Sequence, residues 1–146
     1  MITIRSAAIA DVDIIAPLFD AYRIFYHQQP DPGRGKDFIT QRLKNNESVI
    51  FIAFEENTPI GFTQLYPLFS SVSLKKLWLL NDLFIDPEYR KHGAATALLE
   101  EAKRFALTTG AKGLTLETGK DNLPAQTLYT KNGWVKEENF FYEFSI

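Results

Sequence analysis

The chain has 146 residues and is 45% hydrophobic, with 12 Phe, 6 Tyr and 2 Trp, which predicts one packed domain over residues 1–146. Its formal net charge of −2 excludes the strongly basic face of a nucleic-acid-binding protein. The absence of cysteine excludes disulfides, thiol catalysis and Cys-ligated metal, and 2 histidines are too few for a His-rich metal site.

No segment predicts export or membrane insertion. The N-terminus lacks the basic and apolar regions of a signal peptide, and no apolar run approaches the roughly 20 residues of a membrane span. We therefore expect a cytoplasmic protein with no membrane partner.

The first part of the chain predicts a strand followed by two helices. Apolar and polar residues alternate over residues 2–5, and Asp11 is a suitable N-cap for a helix that includes Pro17. The apolar stripe of that helix comprises Ile15, Leu18, Phe19, Tyr22 and Phe25. Residues 28–36 are rich in proline and glycine and predict a mobile loop, and residues 37–43 predict a second, short helix.

The middle of the chain predicts a β-hairpin and then a buried strand. Residues 48–55 and 60–68 are rich in β-branched and aromatic residues and flank a short polar turn. Pro67 indicates that the second of these strands ends there or lies on a sheet edge. Residues 77–85 are almost continuously apolar, which is typical of a strand that is buried on both faces.

The last part predicts a long helix, a strand, a short helix and a closing hairpin. Apolar residues recur at helical spacing from Ala95 to Ala106. Residues 114–118 alternate as a strand, and residues 122–131 follow as a helix. Residues 134–146 predict two antiparallel strands, over residues 134–138 and 140–146.

The resulting order, β-α-α-β-β-β-α-β-α-β-β, predicts an α+β fold with a mixed sheet of about seven strands and about four helices. Residues 77–85, the long helix and residues 114–118 would form a right-handed parallel crossover. Ligands of such a sheet are expected at the carboxyl ends of the crossover strands.

The turn that enters the long helix has the composition of an anion site. Residues 90–95 include the cations Arg90 and Lys91 and the small residues Gly93, Ala94 and Ala95. The first turn of a helix has unpaired amides and partial positive charge, so a phosphate or pyrophosphate is the expected ligand. The turn matches neither the Walker A pattern nor the dinucleotide pattern G-x-G-x-x-G.

Three segments together resemble one enzyme superfamily. Residues 90–95, after Leu83-Phe84-Ile85-Asp86-Pro87, resemble motif A of the GCN5-related N-acetyltransferases (GNAT), Q/R-x-x-G-x-G/A, with Ala95 in place of the commonest second glycine. Residues 122–134 resemble motif B, and Ile4-Arg5-x-Ala7-x-x-x-Asp11 resembles the usual first strand and helix entry. Because the three occur in order along almost the whole chain, it is identified as a member, most similar to the small histone-acetyltransferase-like group.

The resemblance implies acetyl-CoA as the donor, without a metal, and an amine as the acceptor. The acceptor would be a small molecule, an amino acid or polyamine, or a protein lysine or N-terminus. The residues that would contact the cofactor are Leu83, Phe84, Ile85, Arg90, Lys91, His92, Gly93, Ala94, Ala95, Asn122 and Tyr129.

Two residues are candidates for proton transfer. The resemblance places Tyr129 near the donor sulfur, where its phenol would act as the general acid. Asp82 is the candidate base, because an ionisable group within an apolar strand is costly unless it is paired or used in catalysis. One alternative is that Asp82 is a hydrogen-bonded structural residue. Another is that an ordered water removes the amine proton, and that Asn81 and Asp82 only hold this water.

The sequence specifies the residues that bind the acceptor amine less clearly than those that bind the donor. By analogy with the family, the first helix and residues 28–36 cover the acceptor, which makes Tyr22, Tyr26, Asn81 and Asp82 the substrate-binding candidates and Tyr66 a further one. We expect direct transfer in a ternary complex. A non-catalytic acyl-CoA sensor and a protein-interaction domain are the alternatives, and the aromatic C-terminal strands could support a homodimer.

Overall fold

The computed structural model describes residues 1–146 as five strands and four α-helices. The strands are β1 (Ile2–Ser6), β2 (Val49–Glu55), β3 (Thr58–Ser70), β4 (Lys75–Ile85) and β5 (Leu114–Thr115). The helices are α1 (Val12–Phe25), α2 (Pro32–Lys44), α3 (Ala94–Thr108) and α4 (Leu123–Lys131). Two short 3-10 turns, Ile9–Asp11 and Pro87–Tyr89, precede α1 and follow β4.

The strands form one mixed sheet in the order β1-β2-β3-β4-β5. Neighbours from β1 to β4 are antiparallel, whereas β4 and β5 are parallel and are connected through α3. Helices α1 and α2 pack on one face, around Ile15, Ile39 and Phe62, and α3 packs on the other face through Leu98 and Leu99. The predicted α+β class is confirmed, with apolar cores on both faces of the sheet.

An ion pair connects the first strand to the first helix. Both oxygens of the Asp11 carboxylate accept hydrogen bonds from the Arg5 guanidinium at 2.9 Å, and one also accepts from the Ala8 amide at 2.8 Å. Arg5, followed by the Ala8 amide, holds the pKa of Asp11 below its usual value. The sequence predicted that Asp11 caps α1, but its side chain instead stabilises the turn that precedes the helix.

The prediction of a loop over residues 28–36 is wrong in its second half. Helix α2 begins at Pro32, and the Asp31 side chain caps it by accepting from the Arg34 amide at 3.1 Å. A proline at the first helical position does not interrupt the helix, because the amide it lacks would have no partner there. The helix therefore begins before the residues 37–43 that the sequence predicted.

The predicted closing strands over residues 134–138 and 140–146 are absent, and β5 covers Leu114–Thr115 instead of residues 114–118. The sheet consequently has five strands and not about seven. A strand exists only where its backbone groups find a partner, and residues 135–146 take part in no backbone hydrogen bond.

Pro67 lies on an edge, as the sequence predicted, but it does not end its strand. The pairing of β2 with β3 stops at Val49 and Leu65, whereas β3 continues to Ser70 beside β4 alone. Pro67 has no amide hydrogen to donate. The side of β3 on which this donor is missing has no neighbouring strand that would need it.

A substitution at Gly61 can test how closely β3 approaches the end of β4. A Cβ at Gly61 would contact the Phe84 carbonyl oxygen and lie 2.6 Å from Ile85 Cδ1. We expect Gly61→Ala to lower the free energy of unfolding by about 1–3 kcal/mol, as overpacking does. The control is Gly33→Ala in α2, where a Cβ meets no atom within 4 Å, so chemical denaturation should show no loss. Equal stability of both variants would contradict the close approach.

Candidate functional site

The sheet opens between β4 and β5. Their pairing consists of Trp78 with Leu114 and Leu79 with Thr115, whereas β4 continues to Ile85. Residues 80–85 therefore have a strand neighbour, β3, on one side only. Unpaired backbone groups along such an edge can bind an elongated ligand as an added strand. The predicted cofactor contacts Leu83, Phe84 and Ile85 lie along this opening.

The turn at residues 90–95 lies at the wide end of the opening. Gly93 caps α3 with a φ of 88°, in the left-handed region that favours glycine. A Cβ at Gly93 would meet no protein atom within 4 Å, so the space above the first turn of the helix is open. The amides of that first turn have no partner within the helix, which makes the space suitable for an anion.

The basic side chains of this turn, Arg90, Lys91 and His92, have different surroundings. Arg90 Nε donates to the Ile85 carbonyl at 2.9 Å, and its guanidinium lies over the rings of Phe25 and Phe84. His92 Nδ1 is 3.7 Å from a Glu55 carboxylate oxygen, and Lys91 is exposed. Arg90 thus connects the turn to the end of β4, a structural contact that the sequence did not predict.

Helix α4 lies on the other side of the opening. The Asn122 side-chain oxygen accepts from the Ala125 amide at 3.3 Å and so caps the helix, which leaves its amide nitrogen for other contacts. Tyr129 is half-buried, and its ring centroid lies 6.1 Å from that of Trp134. Burial, with a smaller effect of nearby Tyr26, raises the pKa of Tyr129 to about 12. The phenol therefore keeps its proton at neutral pH.

A cavity of about 450 Å³ lies where α1 and α2 cover the sheet. Its lining includes all the predicted substrate-binding residues, Tyr22, Tyr26, Asn81 and Asp82, together with Tyr66. It also includes Arg23 and Arg34, which lie in the segments predicted to cover the acceptor but were not named, and Phe38, which lies outside those segments. Arg34 and Phe38 lie on α2, whose first turn had been predicted as a loop. Tyr129 is not among the residues that line this cavity.

Asp82 is a buried carboxylate at the base of this cavity, with 3% of its surface exposed. One oxygen accepts from the Asn81 side-chain amide at 2.8 Å, and the other accepts from the Gln64 side-chain amide. Burial raises the pKa of Asp82, and hydrogen bonds from Gln64, Asn81 and Tyr22 oppose the rise. The group is therefore a hydrogen-bonded carboxylate that takes up a proton more readily than an exposed one.

Gln64 is the partner of Asp82 that sequence reasoning missed. The register of β3 and β4 places Gln64 directly opposite Asp82, and both side chains are buried. The Gln64 side-chain oxygen has no hydrogen-bond partner. A polar residue in the middle of the apolar run of residues 60–68 was the available signal, because such a residue needs a polar neighbour.

Burial also raises the pKa values of two tyrosines near Asp82. The pKa values of Tyr22 and Tyr66 are raised, first by burial and then by the Asp82 charge, and that of Tyr66 reaches about 12. The cavity lining thus combines three tyrosine rings and the Asp82 carboxylate with two arginines, Arg23 and Arg34. Rings and carboxylates both attract cations, so the part of the lining around Asp82 suits an ammonium group, while the two arginines suit an anionic group of the same ligand.

The structure contains no cluster of three or more His, Cys, Asp or Glu side chains placed to hold a metal ion. None of the helices combines the length and hydropathy needed to cross a membrane.

Comparison with known proteins gives a consistent result. The model of the acetyltransferase (GNAT) family matches residues 15–134. The chain is 49% identical over 139 residues to a Bacillus subtilis (strain 168) protein named as an uncharacterized N-acetyltransferase, YhfO, covering 95% of this chain and 93% of that protein.

Solved structures have the same fold. The crystal structure of a probable acetyltransferase is 38% identical, with a TM-score of 0.92 over 99% of both chains. A predicted acetyltransferase from Clostridium acetobutylicum, solved with acetyl-CoA, is 18% identical with a TM-score of 0.79, covering 99% of this chain and 96% of that one. At that identity the second likeness concerns the fold alone.

Proposed function

The chain belongs to the acetyltransferase (GNAT) family, and we propose that it transfers acetyl directly from acetyl-CoA to a primary amine held in the cavity beside Asp82. The family transfers acetyl from acetyl-CoA to amine acceptors, so the predicted enzyme class is confirmed. The proposal depends on one observation above all. The part of β4 that is open towards β5 also carries Asp82 at the cavity, so donor and acceptor can meet there.

We propose that acetyl-CoA lies along the opening between β4 and β5. Its pantetheine arm would pair with the backbone of residues 83–85, and its pyrophosphate would contact the amides at the start of α3. Lys91 would add positive charge, while Arg90 would hold the turn in place from the end of β4. The Asn122 side-chain nitrogen is available to the cofactor because its oxygen caps α4.

We propose an acceptor that enters as an ammonium ion. The Asp82 carboxylate and the rings of Tyr22, Tyr26 and Tyr66 would stabilise the charged form of the amine on binding. The amine must then lose a proton, because only its neutral form is a nucleophile. Asp82 would accept this proton, directly or through an ordered water, and its raised pKa suits that role.

The same groups account for every proton that moves in the remaining steps. The amine nitrogen attacks the thioester carbonyl carbon, and the carbon–sulfur bond breaks as the tetrahedral intermediate collapses. Tyr129 would donate its proton to the departing thiolate and recover one from the acetylated nitrogen. One amine hydrogen thus ends on the CoA sulfur, and the extra proton of the ammonium leaves through Asp82 to solvent.

We also propose that the protein is a homodimer and that it is cytoplasmic. The exposed apolar C-terminal residues support a homodimer. The cysteine-free composition is compatible with the cytoplasmic location that the sequence predicts. No observation favours the sensor or interaction-domain alternatives over an enzyme.

Gly93→Ala tests the donor site. An alanine at a φ of 88° costs about 1–2 kcal/mol, which the free turn can relieve by rearranging. Because binding must then restore the original turn, the affinity for acetyl-CoA should fall roughly tenfold. Gly110→Ala is the control, because Gly110 also has a positive φ and open surroundings but lies at the far end of α3. Calorimetric titration should show weaker binding for Gly93→Ala alone. Equal affinities of the two variants would exclude the turn as the phosphate site.

Tyr129→Phe tests the general acid. We expect kcat to fall by about 10²–10⁴-fold with acetyl-CoA affinity preserved, because the ring remains and only the proton donor is lost. Release of CoA thiol in the presence of a panel of amines measures kcat. Tyr142→Phe, on the exposed C-terminal segment, removes a phenol far from the proposed chemistry and should leave kcat unchanged. Undiminished turnover of Tyr129→Phe would assign the proton to another donor.

Asp82→Asn should make the fold more stable and the enzyme less active. Because burial raises the pKa of Asp82, its ionisation destabilises the folded state as pH rises through that pKa. The variant removes this cost, and Gln64 can rotate its unpaired oxygen towards the new amide. Denaturation at several pH values should show a stability gain that disappears at low pH.

The same variant tests Asp82 as the base. For the wild type, kcat should rise with pH as Asp82 loses its proton, and Asp82→Asn should lack this rise. If the variant kept the wild-type pH profile, proton removal would belong to water alone.

A further inference from the structure

The cavity beside Asp82 contains two cations that the proposed transfer does not use. Arg23 lies in the last turn of α1 and Arg34 in the first turn of α2, and both line the cavity. An acceptor that enters as an ammonium ion would be repelled by two guanidinium groups unless a negative charge neutralises them. Either the protein or the acceptor itself must supply that negative charge.

The protein neutralises Arg23 only in part. Its Nη1 atom donates one hydrogen bond, to the Gln29 carbonyl at 3.3 Å. The nearest carboxylate oxygen belongs to Asp20, at 4.0 Å, and that oxygen accepts instead from the Asp31 amide at 2.9 Å. Since a guanidinium group has five N–H donors, most donors of Arg23 have no partner in the chain.

Arg34 has fewer partners still. Its guanidinium donates no hydrogen bond, and the nearest carboxylate oxygen, which belongs to Asp31, is 3.8 Å away. The other Asp31 oxygen accepts from the Arg34 amide at 3.1 Å. By contrast, Arg42 on the same helix pairs with Glu47 at 3.2 Å. Of the three arginines on α1 and α2, the two that line the cavity are therefore the ones without a hydrogen-bonded carboxylate.

The opposite charge of the cavity lies on the sheet. Asp82 on β4 is the only carboxylate in the lining, whereas the arginines lie on the two helices that cover it. The cavity therefore offers a cation-binding part and an anion-binding part to the same ligand. A guanidinium group binds a carboxylate or a phosphate through two parallel hydrogen bonds, which fixes the orientation of the ligand as well as its position.

We propose that the acceptor is a small zwitterion, a primary amine that also carries a carboxylate or phosphate group. The acidic group binds Arg23 and Arg34, and the amine lies beside Asp82. The inference rests on the proposed function, because it names the class of amine that the same site acetylates.

The size and charge of the cavity separate the classes of amine. Its volume of about 450 Å³ lies within the ~300–1,000 Å³ that is usual for small-molecule sites, so an acceptor of amino-acid size fits. Polyamines do not suit the site, because their further positive charges would meet the two arginines.

Matched acceptors test the inference through the release of CoA thiol. The panel contains α- and ω-amino acids, the uncharged amide of each, aminoalkyl phosphates, and diamines of the same chain lengths. We expect kcat/KM to be roughly tenfold or more higher for an acidic amine than for its amide or the matching diamine, because a lost charged hydrogen bond costs about that factor. Comparison of the carboxylates with the phosphates identifies which acidic group the arginines bind.

The outcomes separate this inference from the proposed function. Equal or higher kcat/KM for the amides or the diamines would overturn the inference and leave the acetyl transfer in place. If no amine released thiol, the proposed function would fail as well.

Substitution of the arginines tests their contact with the acidic group. The Arg34 side chain is 88% exposed, so its replacement should not disturb folding. Arg34→Gln and Arg23→Gln should each raise the KM for the acidic acceptor roughly tenfold, with kcat and the KM for acetyl-CoA little changed. Arg34→Glu should also reverse the preference, so that a diamine reacts better than the matching amino acid.

Arg104→Gln is the matched control for these variants. Arg104 is an exposed arginine on α3, on the opposite face of the sheet, and its loss changes the net charge by the same amount. The KM for the acidic acceptor should stay at the wild-type value in this variant. An equal rise in Arg104→Gln, or no rise in Arg23→Gln and Arg34→Gln, would overturn the inference.

Discussion

The open side of β4 is the constraint on which the rest of the structure depends. Beyond Leu79 this strand has a neighbour on one side only, because β5 pairs with it at just two positions and then diverges. Side chains satisfy some backbone groups of residues 80–85, because the Asn81, Asp82 and Ile85 carbonyls accept from Tyr22, Thr63 and Arg90. The remaining groups on the open side need another partner, since unpaired polar groups are costly when buried. A linear ligand that pairs like a strand satisfies them, and the start of α3 at the end of the opening suits the phosphates of acetyl-CoA.

The same strand carries a charged group that the fold would be more stable without. Burial disfavours ionised Asp82, and its hydrogen bonds to Gln64 and Asn81 offset only part of that cost. Such a group is retained where its chemistry is useful, which is why raised carboxyl pKa values concentrate at catalytic sites. Tyr22 and Tyr66 keep their protons, so Asp82 is the one carboxylate of a cavity that also contains Arg23 and Arg34.

Local signals predicted most of the sheet and the turn that we propose as the phosphate site of the donor. The hairpin, β4, the turn at residues 90–95 and α3 follow from apolar spacing and turn composition, and these elements occur where the sequence placed them. The start of α2 was missed because proline and glycine in its first turn resemble a loop. Gln64 was missed because its role depends on register with Asp82, which sequence alone does not specify. The closing strands were predicted from their alternating composition, but alternation alone does not supply backbone pairing, and residues 135–146 take part in no backbone hydrogen bond.

The most direct test of this account is amide hydrogen exchange along β4, with and without acetyl-CoA. Amides of residues 80–85 on the side that lacks a strand neighbour should exchange readily in the free protein and become protected when the donor binds. Amides at the start of α3 should gain protection at the same time, while those of β1 and β2 should not change. Unchanged exchange along residues 80–85 at saturating acetyl-CoA would contradict the assignment of this opening to the donor.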